Sequence, residues 1–237
     1  MQIDILTLFP SLFESVFSES LIKKAVERKI INIRITNIRD FADGKHKTVD
    51  DKAYGGGAGM IMMAPPIVKA IRAVFRLRPR QKSCKVILLS PQGKVLNQQK
   101  AKELSKIQHL ILICGHYGGV DERVLKFIDE EISIGNYVLT GGEIPAMVLV
   151  DTIGRLIPKV VGKKDSLEQD SLWNGKLISP VYTRPYNFCG IKVPKVLLSG
   201  NHKNIEKWKK ENAVKNTIKK RPELIGLDKI CKNNKRK

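Results

Sequence analysis

The chain has 237 residues and a formal net charge of +20, from 43 Lys+Arg against 23 Asp+Glu. That length can bury a sizeable core in one domain or two. The charge favours a polyanionic partner, nucleic acid ahead of an acidic membrane surface, and no apolar run approaches the ~20 residues that span a bilayer. Cys84, Cys114, Cys189 and Cys231 are widely spaced with no CxxC pair. This points away from a zinc site or a secreted disulfide framework. It fits a reduced, cytoplasmic setting with buried, inert thiols. The start Met1-Gln2-Ile3-Asp4 reads as a strand with an early acid, unlike a signal peptide.

In chain order, Gln2 to Leu8 is apolar and β-prone. Phe9-Pro10-Ser11 predicts a helix to about Arg28, with Pro near its start, where a missing N–H is harmless. Ile30 to Ile38 alternates like a half-buried strand. Arg39 to Met63 reads as a long Gly- and Asp-rich loop, of the kind that is functional or mobile in a compact domain. Pro65-Pro66 opens a helix, Lys85 to Leu89 is a buried strand, and Asn97 caps a helix over Gln98 to Lys106. His109 to Cys114 and Glu131 to Ile134 are further strands, and Glu143 to Leu156 is a helix. Strand–helix alternation predicts an α/β domain with a largely parallel sheet over 1–160. A polar, flexible linker follows over 161–175, then a small basic helical domain over 176–237. The last 37 residues carry +9 of the charge, with Trp208, Val214, Ile218 and Leu224 as candidate core and a disordered tail, Lys232 to Lys237.

Three segments share one design, an apolar strand running into a turn rich in Gly, Pro or small polar residues. They are Leu88-Leu89-Ser90-Pro91-Gln92-Gly93, Cys114-Gly115-His116-Tyr117-Gly118-Gly119, and Ser133 to Pro145 with its Gly135, Gly141 and Gly142. Ligands of open α/β sheets bind outside the carboxyl ends of strands. Three such turns together offer backbone donors and acceptors suited to an adenine ring and a ribose. No GxxxxGK[ST] or GxGxxG occurs, so phosphate-cradling NTPase and nicotinamide chemistry lose ground. Gly55-Gly56-Gly57-Ala58-Gly59 fits neither spacing and reads as a flexible loop or a flap near substrate. Taken singly, Asp170 reads as a solvated linker carboxylate and Arg155 as complementing a helix C-terminus.

Taken together, the motifs carry a resemblance. Tyr54-Gly55-Gly56-Gly57, Ser90-Pro91-Gln92-Gly93, Cys114-Gly115-His116-Tyr117, Asp121-Glu122-Arg123, Ser133 to Pro145, Tyr182-Thr183-Arg184-Pro185 and Leu198-Ser199-Gly200-Asn201-His202 occur in that order. Over nearly its whole length the chain resembles the bacterial tRNA (guanine-N1)-methyltransferases, the TrmD family of the SPOUT superfamily. The resemblance implies a SPOUT-type parallel sheet with a deep C-terminal trefoil knot, and a homodimer with active sites at the subunit interface. It implies S-adenosyl-L-methionine as cofactor and tRNA as substrate, methylated at N1 of the guanosine 3′ of the anticodon (position 37). Matched residue by residue, Leu89, Ser90, Pro91, Gln92, Gly93, Gly115 and Tyr117 would contact the cofactor. So would Ser133, Ile134, Gly135, Asn136, Tyr137, Val138, Leu139, Gly141, Gly142 and Pro145. Asp170 matches the general base, Arg155 the residue that stabilises guanine O6, and His46 and Asp50 positions associated with RNA contact.

The chain departs from the family pattern in places. Gly118 stands where the family usually has Glu, an acid linked to the cofactor amine or to Mg2+. Asn136 stands where Asp is common, and Ala53 and Ala58 where Pro is common. Losing two acids near a cationic cofactor is expected to bear on affinity or metal dependence, with catalysis intact because Asp170 and Arg155 are kept. A basic RNA-binding protein without catalysis would account for the charge but not for three glycine turns.

Overall fold

The structure is a computed structural model and describes residues 1–161, 167–168 and 170–226. The chain divides into two units, Met1–Gly162 and Lys163–Lys237. The expected tail Lys232 to Lys237, Cys231, and residues 162–166 and 169 of the expected linker lie outside the described residues.

In the first unit the strands are β1 (Gln2–Thr7), β2 (Asn32–Asn37), β3 (Asp50–Lys52), β4 (Met60–Met62), β5 (Cys84–Val95), β6 (His109–Cys114) and β7 (Glu130–Ser133). Its helices are α1 (Glu14–Phe17), α2 (Ser20–Glu27), α3 (Ala64–Leu77), α4 (Gln98–Leu104) and α5 (Glu143–Gly154). Five strands form one parallel sheet in the order β2-β1-β6-β5-β7. Every residue of β1 and β6 is buried. A strand covered on both faces reads as a near-continuous apolar run, as β6 does, whereas β1 also buries the polar Gln2, Asp4 and Thr7.

The two-residue period still divides the core. Ile3, Ile5, Ile87, Leu89, Leu110 and Leu112 pack with Leu149, Val150 and Ile153 of α5 and Leu104 of α4. Leu6, Val86, Leu88, Ile111 and Ile113 pack with Ile67, Ala70, Ile71 and Val74 of α3. Register sets Ile5, Leu112 and Ile87 abreast across the sheet centre, so one face closes on α5 without a gap in the apolar row.

Two local expectations are corrected. The helix expected from Phe9 to Arg28 is a 3-10 turn at Pro10–Phe13 followed by α1 and α2. It breaks where the Ser18 hydroxyl donates to Ser15 O and Ser20 takes a positive φ of 57°. Serine offers the backbone a local alternative to the helical bond. The loop expected from Arg39 to Met63 contains a 3-10 turn at Ile38–Phe41 and an antiparallel β3–β4 pair. The glycines Gly55–Gly59 form the β3–β4 connection, and β4 is tied to the turn after β6 by Gly118 N–H to Met60 O and Met62 N–H to Gly119 O, each 2.9 Å.

At the amino ends of the central strands lies a buried charge network. The His109 ring N–H (Nε2) donates to Asp4 Oδ2 at 2.7 Å, Arg34 Nε donates to Asp4 Oδ1, and Gln2 Nε2 adds a third bond at 3.2 Å. Hydrogen bonding to Asp4, and then to Cys84, pushes the His109 imidazole up to about 9. Burial pushes the Asp4 carboxyl up, but bonds from His109, Arg34 and Gln2 outweigh it and hold it below the usual carboxylate range. A raised folded-state value means that proton binding favours the folded state. The His109 contribution is therefore full below pH 6.5 and is lost as pH rises through about 9. Asp4 acts in a separate window, losing its contribution as pH falls through and below the usual carboxylate range. Raising the pH from below 6.5 to above 9 is expected to cost the first unit about 3 kcal/mol. Urea unfolding at both ends of that range checks this, and His109→Gln should flatten the dependence.

The second unit contains a short antiparallel pair, β8 (Asn187–Phe188) and β9 (Ile191–Lys192), then α6 (His202–Lys220). Asn201 caps α6 by accepting from the Asn204 N–H at 3.1 Å. Val214 and Ile218, expected in its core, are exposed. The inward face of α6 is instead set by Thr217, which is fully buried, donates to Ala213 O at 2.7 Å and accepts from the Leu177 N–H at 3.0 Å. Cys189 is exposed, contrary to expectation, whereas Cys84 and Cys114 are buried.

Candidate functional site

The three turns emerge at the carboxyl ends of adjacent strands, β6, β5 and β7. The first is a bulge inside β5: Leu89 and Lys94 both lie opposite Ile132 of β7, leaving Ser90-Pro91-Gln92-Gly93 looped out. The Ser90 hydroxyl accepts from the Gln92 N–H at 3.1 Å and holds the loop. A Cβ at Gly93 would lie 2.4 Å from the Glu131 carbonyl carbon, so the bulge needs glycine there to lie on β7. In the second turn Tyr117 takes a φ of 57° and its hydroxyl receives Arg39 Nη2 at 3.3 Å. In the third, the Ser133 hydroxyl donates to Gly135 O at 2.9 Å, and the Tyr137 hydroxyl donates to Ile134 O at 3.2 Å.

The second and third turns are joined by the Gly142 N–H, which donates to Gly115 O at 2.7 Å. A Cβ at Gly142 would sit 2.7 Å from Cys114 Cα and 2.9 Å from Gly115 N. Together the turns enclose a cavity of about 300 Å3. Of the residues matched to cofactor contact, Gly93 and Asn136 are not in its lining and all the others are. Asn136 is exposed, so the substitution there lies off the cavity wall.

Sequence reasoning missed several lining residues, among them His116, Glu122, Glu131 and Thr140. It also missed what lies behind the wall. Thr7, at the end of β1, is fully buried and donates its hydroxyl to Glu143 Oε1 at 2.7 Å. The other oxygen, Glu143 Oε2, is 3.7 Å from His116 Nδ1. The His116 ring rests on Phe9 and against Tyr117, each with centroids 4.9 Å apart. An acid directly after two glycines at the head of an apolar helix was the available signal, but the same residue serves equally to complement a helix dipole. Burial, and then the Glu143 charge, push the Cys114 thiol well up, so it stays a neutral thiol and no nucleophile.

Of the remaining candidates, His46, Asp50 and Arg155 of the first unit are not among the lining residues. His46 is exposed in the turn closed by Lys47 N–H to Gly44 O, and Asp50 is half-buried on β3 opposite Met62. Arg155 is the exposed C-terminal cap of α5, its backbone N–H donating to Asp151 O at 3.2 Å, and it does not line the cavity. Asp170 belongs to the second unit, half-buried, with its backbone carbonyl accepting from the Trp173 N–H at 3.3 Å. Among the described residues no three His, Cys, Asp or Glu side chains converge as a metal site. No helix there is long and apolar enough to cross a membrane.

A parallel sheet whose carboxyl ends carry a glycine-walled cavity defines an α/β protein with a cavity where open α/β sheets bind ligands. Comparison with known proteins supplies the family. A family model described as tRNA (Guanine-1)-methyltransferase TrmD matches residues 1–227. The tRNA (guanine-N(1)-)-methyltransferase of Ruminiclostridium cellulolyticum is 53% identical over 226 residues, covering 95% of this chain and 96% of its own length. That of Dictyoglomus turgidum is 52% identical over 225 residues, 95% and 90% of the two chains. That of Carboxydothermus hydrogenoformans is 52% identical over 236 residues, 99% and 91%. The chain belongs to the TrmD family and is a methyltransferase. Membership implies S-adenosylmethionine as methyl donor.

Proposed function

We propose that the cavity holds S-adenosylmethionine and that the protein methylates N1 of the guanosine 3′ of the anticodon in tRNA. The observation that carries this is the convergence of three glycine turns on one cavity, with the Gly142 N–H seated on Gly115 O. Its exposed backbone groups and apolar faces suit an adenosine, and a net charge of +20 suits a tRNA partner. The site's strand order and the return of the chain from the edge strand β7 to the end of β6 support a knotted third turn.

When bound, S-adenosylmethionine supplies a methyl group on a sulfonium, whose loss leaves a neutral thioether. The protein's residues then have two tasks. Guanine N1 carries a proton, so its lone pair forms the new N–C bond only as that proton leaves. Asp170 takes it. A carboxylate is a weak base for this. Arg155 offsets the mismatch by stabilising negative charge on guanine O6, which makes the proton easier to lose. Extrusion of the base from its stack exposes N1, and His46 in its turn and Asp50 on β3 contact the RNA. No step is assigned to Mg2+.

A site completed by a second copy of the chain is part of the proposal. It is supported by an apolar surface: Ile144, 53% exposed, and Val148 on α5, with Leu12, Val16 and Leu21 near the start of the chain. A helix apolar nearly all round calls for cover. Ile144→Glu is expected to halve the mass in sedimentation equilibrium and to lower methyl transfer at least tenfold. An unchanged dimer mass would remove α5 from the interface. The cavity assignment itself is tested by calorimetric titration with S-adenosylmethionine. A saturable heat is expected, and its absence would remove the assignment.

A further inference from the structure

The chain has nearly twice as many Lys+Arg as Asp+Glu, 43 against 23. The cavity reverses that balance. Its described walls contain Glu122 and Glu131 and no Lys or Arg. Directly behind the wall lies Glu143, only 3% exposed. One of its oxygens is held by the Thr7 hydroxyl at 2.7 Å, and the other faces His116 Nδ1 at 3.7 Å, beyond hydrogen-bonding distance. That ring nitrogen is buried with no hydrogen-bond partner. Among the described residues, none of the three carboxylates is ion-paired to Lys or Arg. A basic protein therefore keeps an acidic enclave at the one cavity where its ligand is read to bind.

We propose that Glu122, Glu131 and Glu143 make this cavity selective for the cationic, sulfonium form of the methyl donor over its neutral thioether product. The inference rests on the reading of the cavity as the S-adenosylmethionine site. The two molecules share adenosine, amine and carboxylate, and differ by one methyl and one unit of charge at sulfur. Backbone contacts from the glycine turns treat them alike. Beyond contact with the methyl itself, a field distinguishes them, and a cleft with low-dielectric walls focuses it. The surrounding positive charge repels a cation but is screened beyond about 8 Å at physiological salt, apart from Arg39, which reaches the lining at the Tyr117 hydroxyl, 3.3 Å away. Glu122 and Glu131 line the cavity and Glu143 backs its His116 wall, so theirs is the acidic field that bears on it. Once the methyl group has left, their attraction for the sulfur ends, which favours release of the product.

The test separates charge from scaffolding. Wild type, Glu131→Gln, Glu122→Gln and Glu143→Gln are titrated by calorimetry with S-adenosylmethionine and with S-adenosylhomocysteine. Glutamine keeps the shape and the oxygen that accepts from Thr7. For Glu131→Gln and Glu143→Gln the ratio of the two affinities is expected to shift against the sulfonium by about tenfold, or 1.4 kcal/mol. The shift should be smaller for Glu122, which is exposed. S-adenosylhomocysteine affinity should hold within about threefold, the scatter expected of context-dependent effects. Equal losses for both ligands would show that the carboxylates only support the wall, and would overturn the inference while leaving the site intact. Wild type that binds neither ligand would remove the reading of the cavity itself. If Glu143→Gln does not fold, Glu131→Gln decides the matter, since Glu131 is partly exposed.

Discussion

Asp170→Ala is expected to abolish methyl transfer while leaving S-adenosylmethionine binding near normal. General base catalysis contributes roughly 10²–10⁴-fold, and single-turnover rates should fall by that factor. Binding should survive because the described lining residues of the cavity all belong to the first unit, whereas Asp170 belongs to the second. Asp170→Asn should behave alike, since an amide keeps the shape but cannot accept the N1 proton. The split is what identifies the role. A residue needed only for folding would lower both quantities, and near-normal turnover in either variant would sink the assignment.

Gly142→Val is expected to have the opposite signature, a collapse of donor binding first. Gly142 has an ordinary φ of −82°, so its backbone conformation tolerates a side chain. The obstacle is space. A Cβ would meet Cys114 Cα at 2.7 Å and Gly115 N at 2.9 Å, both backbone atoms at the end of a fully buried strand. They cannot yield as a flexible side chain would, so the third turn must lift off the second. The 2.7 Å bond from the Gly142 N–H to Gly115 O then lengthens and the cavity loses its closed wall. Overpacking of this kind costs about 1–3 kcal/mol, and the affinity for S-adenosylmethionine should fall by about a hundredfold. Calorimetry measures the affinity, and thermal unfolding measures the stability. Wild-type affinity would show that the two turns are not a single wall.

The central sheet was legible because its strands are short, apolar and punctuated by turn residues. Asn97 as a helix cap was equally legible, and its side chain accepts from the Lys100 N–H at 2.8 Å. The helix from Phe9 to Arg28 was overcalled because apolar spacing continues through Ser18 and Ser20, while the break is made by local hydrogen bonding that periodicity does not register. The Ser90-Pro91-Gln92-Gly93 turn read as the end of a strand, yet β5 resumes beyond it. A bulge depends on the partner strand, and only Gly93 hinted that another backbone lay close.

Site residues were legible where they share a turn and a chemistry, as in the three glycine segments. Thr7 and Glu143 were not, because 136 residues separate them and an acid at the head of a helix serves equally to complement its dipole. Val214 and Ile218 show the converse. Their spacing looked like a core face, but Thr217 holds the inward side of α6 through its bond to Leu177, a partner that no helical pattern encodes.

The central claim is the reaction, and mapping the methylated atom tests it most directly. The purified protein is incubated with methyl-labelled S-adenosylmethionine and an unmodified tRNA whose anticodon is followed by guanosine. Nuclease digestion and mass spectrometry then locate the label. The account predicts N1-methylguanosine at that one nucleotide, and none when it is replaced by adenosine. Label on a ribose, on another base, or on no nucleotide at all would contradict it.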